Sequence, residues 1–366
     1  MKAIRVPLIF LCLTFSLKSF AILEFNDGVF PEFATSARAL AMGNAFISKV
    51  DDSSAAFYNP AGLGTIRKTH FHLSNFHIET NKDAMNIATG GKLSDAVSNF
   101  SDSFSLDGTR KLLLENTGKL YYSRFHFLPN FTTRYFTAGY LVSRQTRATI
   151  GTNAGALFEY SKRTDHGPYV GLNLSLFGGI IKFGATGLLL KRSEVKDEAD
   201  PNLTVDLQDG DYQKGTAFIV TAGTKLTLPW TYLPTFSAVL RNAGDQTFTG
   251  RAAGAPDKVP NAIDVGFSIT PQIGRIVRVH FEANYRDIGS ETSASATRKI
   301  GLGMEIDIAR KLFFRFGYGD GFGSGGIGIR TQKVEFDFTS YAVDTTSSEY
   351  RGKEDRRFAL SISTGF

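Results

Sequence analysis

From about residue 117 onward the chain is written in segments of about ten residues in which apolar and polar side chains alternate. In 276–286, Val277, Val279, Phe281, Ala283 and Tyr285 fall on one side of the alternation and Arg278, His280, Glu282, Asn284 and Arg286 on the other. In 299–308, Ile300, Leu302, Met304, Ile306 and Ile308 oppose Gly301, Gly303, Glu305 and Asp307; in 311–318, Leu312, Phe314, Phe316 and Tyr318 oppose Lys311, Phe313, Arg315 and Gly317; in 333–339, Val334, Phe336 and Phe338 oppose Lys333, Glu335, Asp337 and Thr339. A period of two belongs to a β-strand, whose successive side chains point to opposite faces. Each segment therefore has one greasy face and one polar, charged face.

A soluble sandwich would bury the greasy faces in a core. A membrane barrel would turn them to lipid and enclose the charges in a lumen. Segment length favours the barrel, because a tilted transmembrane strand needs about 9–11 residues and soluble strands average about five or six. Loop asymmetry agrees. Short connections fall at Leu128–Asn130, Gly178–Gly179, Pro229–Pro234, Pro271–Arg275, Ala309–Arg310 and Thr331–Gln332. Longer ones fall between them, at 80–116, 147–166, 194–212, 244–260, 288–297, 319–323 and 344–355. That count predicts an all-β chain, a 14-stranded antiparallel transmembrane β-barrel with both ends on the short-turn side. Phe358, Leu360, Ile362, Thr364 and Phe366 share a face of the last segment. A terminal aromatic there resembles the signal read by the outer-membrane barrel assembly machinery.

The remaining composition fits. With 32 Phe and 13 Tyr the chain is too aromatic for disorder. Its single cysteine, Cys12, excludes a disulfide scaffold. Lys2 and Arg5, the apolar run Leu8 to Leu17 and the small residues of Ser19-Phe20-Ala21 form a secretory signal peptide over 1–21, with cleavage expected after Ala21. Lys2, Arg5 and Lys18 lie in it, so the formal charge falls from +6 to +3. So weak a positive charge gives no reason to expect nucleic acid as a partner.

A barrel this wide cannot be filled by its own strand side chains. Residues 22–68 do not alternate and supply a candidate filling, ahead of a barrel over 69–366. The spacing predicts a helix over Thr35 to Met42, stopped by Gly43-Asn44. A second helix is expected over Ser53–Tyr58, capped by Asp51 or Asp52 and ended by Asn59-Pro60.

The run ARALAMGNAFISKVDDSSAAFYNPAGLG, Ala37 to Gly64, resembles the N-terminal region of the FadL family of outer-membrane hydrophobic-compound channels. The match rests on the Ala/Gly-rich stretch, Gly43, the acidic pair before Ser and Ala, and Asn59-Pro60-Ala61-Gly62-Leu63. The resemblance implies a partly helical hatch that plugs a monomeric barrel. It implies ligands like long-chain fatty acids or aromatic hydrocarbons, passive gated diffusion, and sideways release through a kinked third strand. Asn59, Pro60 and Ala61 would be the hatch motif, and Gly139 the only glycine of the third strand. The hatch sequence and the 345 residues left after cleavage at Ala21 are also similar to PorV-like relatives, barrels that assist protein secretion.

Candidate site residues follow. Leu93, Val97, Phe100 and Phe104 stand at helical spacing in loop 80–116 and could capture a ligand outside. Glu282, Glu305, Asp307, Arg315, Glu335 and Asp337, with Arg357, are expected in the lumen as an ion-pair ladder. Gly301, Gly303, Gly326 and Gly328 are expected to leave room for the hatch. Gly321 to Gly326 matches a dinucleotide pattern, but a strand follows and no helix, so no cofactor is expected. His70, His72 and His77 crowd the first strand; no cysteine accompanies them and His72 and His77 sit on opposite parities, so no metal site is expected. No nucleophile elbow occurs, and a non-enzyme is expected. The partners implied are a hydrophobic small molecule, outer-membrane lipid and lipopolysaccharide, in a Gram-negative-type outer membrane.

Overall fold

The computed structural model describes residues 23, 25, 27–67, 69–89, 105–243, 247–250, 254–289, 294–345 and 353–365. One antiparallel sheet of seventeen hydrogen-bonded segments closes on itself. Three short segments continue a neighbour, which leaves fourteen strands. They are β1 (His70–Asn81), β2 (Leu120–Phe127, resumed at Asn130–Thr132), β3 (Phe136–Ile150), β4 (Phe158–Leu176), β5 (Ile181–Ala199), β6 (Gln213–Thr227), β7 (Thr235–Arg241, resumed at Thr249–Gly250), β8 (Ala262–Ile269, resumed at Gln272–Ile273), β9 (Val277–Tyr285), β10 (Ile300–Ile308), β11 (Leu312–Gly319), β12 (Phe322–Arg330), β13 (Val334–Asp344) and β14 (Glu354–Gly365). Each strand pairs with the next, and β14 pairs with β1, so no edge is left open.

Alternation decides what each face meets. Phe76, Leu172, Phe183, Phe218, Phe236, Phe267, Phe281, Leu302, Phe316, Ile327 and Phe338 point outward and are exposed. Tyr135, Phe177, Trp230 and Tyr232 stand exposed at the short turns, an aromatic girdle at one rim. No described helix is long and apolar enough to cross a membrane; the strands do the crossing. Together these features make a transmembrane β-barrel. A concavity of about 590 Å³ lined by Phe236, Val265, Phe267, Tyr285 and Ile300 lies among the outward side chains, away from the lumen.

Several expected loops are shorter in the structure. The 147–166 segment is mostly strand, because β3 runs to Ile150 and β4 starts at Phe158. The 319–323 segment is a two-residue turn: Asp320 and Gly321 both take positive φ, the geometry Asp-Gly favours in a tight hairpin. Leu128-Pro129 interrupts β2 without turning it; the chain turns at 133–135. Across the long-loop rim lie α3 (Lys82–Thr89) and α4 (Leu106–Leu114).

The N-terminal segment lies inside the barrel. It holds α1 (Ala37–Ala41), α2 (Ala55–Tyr58) and a 3-10 turn, Pro60–Thr65. Both helices are shorter than the expected Thr35–Met42 and Ser53–Tyr58. Gly43 ends the first with a left-handed φ of 61°. Ser54 precedes the second without capping it through its side chain, and Asp52 accepts hydrogen bonds from the Ser54 N–H and hydroxyl. Ala39, Met42, Phe46, Val50, Ala55, Tyr58, Leu63 and Ile66 form the segment's own small core.

Candidate functional site: the plugged lumen

Lumen-facing charges and the N-terminal segment complete one another. Arg38 of α1 meets Glu305 of β10 through two hydrogen bonds of 2.7 and 2.8 Å, and also reaches Asp51 at 2.6 Å and Asp52 at 3.0 Å. Glu282 of β9 accepts the backbone N–H groups of Ser48 and Lys49, both at 2.8 Å. Asp27 pairs with Arg147 of β3 and Arg357 of β14, each at 2.8 Å. Glu32 pairs with Arg163 of β4 at 2.7 Å and Arg192 of β5 at 2.8 Å. Burial opposes the charges of Asp51 and Glu32. The guanidinium of Arg38 beside Asp51, and those of Arg192 and Arg163 beside Glu32, outweigh it and hold both carboxyls below the usual carboxylate range.

The expected ladder is thus partly a wall-to-plug network. Glu305 links Arg315 at 2.8 Å to Arg38, and Arg315 continues to Asp337. Asp307 pairs with Arg278, and Glu335 with Arg330 at 2.7 Å, within the wall alone. Leu93, Val97, Phe100 and Phe104 lie outside the described residues.

Small wall residues let the plug sit on the backbone of the strands. A Cβ added at Gly317 would stand 2.1 Å from Met42 and Gly43 backbone atoms, and one at Gly223 2.1 Å from the Asn59 amide oxygen. Gly184, paired with Gly223 across β5 and β6, gives the same room to Pro60. Gly301, Gly303 and Gly326 border Gly43, Met42 and Ala41; Gly328 instead accommodates Arg315 and Asp337. Gly184 and Gly223 have no place in the sequence-based expectations, and Gly317, on the polar face there, is not among the glycines expected to leave room for the hatch. Asn59 is fully buried: its side-chain oxygen accepts the Ala61 N–H at 3.0 Å, capping the 3-10 turn, and its amide donates to Ile47 O at 2.9 Å.

One sector of the lumen is apolar. Leu141, Tyr169, Leu188, Leu190, Ala217 and Ile219 of β3–β6 face inward and are covered by Phe33, Ala34, Ala56 and Phe57. The Phe57 ring meets Tyr169 edge-on at 4.9 Å. Gly139 makes no bulge: it pairs with Asn130 on one side and Tyr169 on the other, in an unslipped ladder. The ladder lapses on β4 instead, where Gly167 and Pro168 have no partner in β5. Proline lacks the N–H that a ladder needs. This lapse adjoins Tyr169, Leu188 and Leu190.

His72 and His77 both face inward, contrary to their parity, because the register slips by one between His72 and Ser74. His126, not singled out in the sequence, is the direct cross-strand partner of His77. A register slip and a pairing between distant strands leave no local signal.

No protein-family model matches the chain, and no curated protein matches it in sequence. Solved structures do match. The Pseudomonas putida toluene transporter TodX aligns with 92% of this chain and 99% of its own, at 11% identity and a TM-score of 0.54. The CymD monoaromatic hydrocarbon channel aligns with 93% of this chain and 98% of its own, at 11% identity and a TM-score of 0.52. The Ralstonia pickettii toluene transporter TbuX aligns with 91% of this chain and 98% of its own, at 12% identity and a TM-score of 0.51. Over nine-tenths of its length, then, this chain has the fold of these hydrocarbon channels and transporters, the fold that the Ala37–Gly64 resemblance implies.

Proposed function

We propose that the protein is an outer-membrane channel for uptake of hydrophobic compounds resembling long-chain fatty acids or aromatic hydrocarbons. Diffusion through it is passive and gated by residues 22–68, acting as a hatch in the barrel 69–366. The observation that carries this reading is the apolar sector of β3–β6. A lumen serving only water and ions gains nothing from Leu141, Leu188, Leu190 and Ile219 facing inward, whereas a buried methylene is worth about 0.8 kcal/mol to an acyl ligand. Phe33 and Phe57 cover that sector, so entry of a ligand requires the segment to shift. Family likeness adds sideways release into lipid; the Gly167–Pro168 lapse supports β4–β5 as its place instead of the third strand.

Lys182 and Lys225 favour an acid. They are direct cross-strand partners and buried, Lys182 against Gly64, and neither forms an ion pair with a described residue. A ligand carboxylate would relieve two like charges set opposite one another. Leu93, Val97, Phe100 and Phe104 of loop 80–116 remain the proposed outer capture surface. The protein is taken to work as a monomer among outer-membrane lipid and lipopolysaccharide, inserted by the barrel assembly machinery in a Gram-negative-type bacterium.

The test is mass spectrometry of molecules that co-purify with the protein, with uptake assayed in liposomes. Bound acyl chains or aromatic hydrocarbons, and uptake of either, support the reading. An empty lumen with no uptake rejects it, and capture of an exported protein in that case would point to the PorV-like role.

A further inference from the structure

We propose that His77, Glu79 and His126 form a binding site for a divalent transition-metal ion of the zinc class, at the point where Thr35 of the N-terminal segment meets the wall. The backbone brings the three together. His77 lies directly opposite His126 across β1 and β2, and Glu79, two residues along β1, shares their face. All three are buried, and one ligand atom from each lies within 4.8 Å of the others. Their rings stack at 4.2 Å and 12°. His77 Nε2 is 2.8 Å from Glu79 Oε1.

The fourth position is already oxygen. Thr35 Oγ1 donates to Glu79 Oε1 and lies 3.3 Å from His77 Nε2 and 3.4 Å from His126 Nε2; Thr35 O accepts from His126 Nε2 at 2.8 Å. A four-coordinate ion with bonds of about 2.0–2.1 Å needs two imidazoles, a carboxylate and one further ligand converging in this way. Glu79 is also held from behind: its Oε2 accepts hydrogen bonds from the hydroxyls of Tyr122 at 2.9 Å and Tyr341 at 2.5 Å. Such outer contacts fix a ligating carboxylate in place. Both Nδ1 atoms lack a hydrogen-bond partner among the described residues. Moving each ring proton to Nδ1 would free Nε2 for a metal without breaking a bond at Nδ1, the ion taking the place of the hydrogen bond from His126 Nε2 to Thr35 O. Two imidazoles and one carboxylate suit zinc, nickel or copper better than calcium or magnesium. The ion would tie the plug to β1 and β2, whatever the channel carries.

Full-length protein in detergent, stripped with a chelator and desalted, would be titrated with Co²⁺ and then Zn²⁺. The expected result is saturable binding of about one Co²⁺ per chain, with a visible nitrogen/oxygen-ligand spectrum that an equivalent of Zn²⁺ abolishes. His77→Gln and His126→Gln should each weaken binding at least about tenfold, with barrel closure checked by heat-modifiable migration. His166→Gln, which alters a histidine bonded to Tyr140 on the outer face, should bind as the parent does. No saturable Co²⁺ binding by the parent protein would overturn the site. So would a spectrum that survives the double substitution of His77 and His126. If the substituted barrels do not close, the parent titration alone decides.

Discussion

Arg38 ties the plug both to the wall and to itself, since it meets one carboxylate of the wall and two of its own segment. Replacing it by Met leaves Glu305 buried without one of its counter-charges. Losing one partner of a buried pair costs about 3–5 kcal/mol. Arg38→Met should therefore expose the 27–67 segment to trypsin in an otherwise closed barrel; unchanged protection would refute the role given to Arg38. Gly317 makes the steric case. A valine there meets plug backbone, which cannot give way as a side-chain tip can, and overpacking of that kind costs about 1–3 kcal/mol. Gly317→Val should raise single-channel conductance, while Gly178→Val, in a turn with open space around it, should not. The sequence exposed the chemistry of Glu282, Glu305 and Arg315 through parity. It did not expose Arg38 as their partner, because parity says nothing about what enters a lumen from elsewhere in the chain.

At the scale of elements, strand identity was legible because a period of two survives in most wall segments, whereas strand ends were not. Toward the long-loop rim β4 and β5 continue as a ladder whose outward side chains, such as Lys162, Thr164, Lys191 and Ser193, are polar, so the apolar signal fades before the pairing does. The Asp320-Gly321 turn carries a hairpin signal, Asp-Gly, that outweighs loop asymmetry. It also carries a pH effect. Burial raises the Asp320 carboxyl to about 6, although Arg298 Nε donates to it at 2.6 Å. As pH rises, the unfolded chain releases this proton near 3.8 and the folded chain near 6. Stability contributed here is complete below about 4 and is lost by about 6, on the order of 3 kcal/mol. Asp320→Asn should gain on the parent in melting temperature between pH 4 and pH 7; parallel curves would count against the burial argument.

For the whole molecule, the plug separates two ways of reading conductance. Deleting 22–64 removes Arg38, Phe33, Phe57 and the 3-10 turn together, and should open the tube to ions in planar bilayers. A deletion mutant as tight as the parent would mean that the wall closes itself. The barrel and its strand number followed from alternation. The apolar sector did not, because Leu141, Leu188 and Leu190 sit in runs apolar on both parities, such as Leu188-Leu189-Leu190, where periodicity carries no sign.

The brevity of α1 and α2, five and four residues, has a further consequence. Helices so short do not persist in water without a surface to lean on, and here that surface is the tube. The stopper is therefore cast in its mould: translated first, it can take shape only after the last strand has closed around it. By the same logic it cannot leave as a cork does, in one piece. Under the proposed gating it vacates the passage by melting, and each reopening would be a small unfolding reaction.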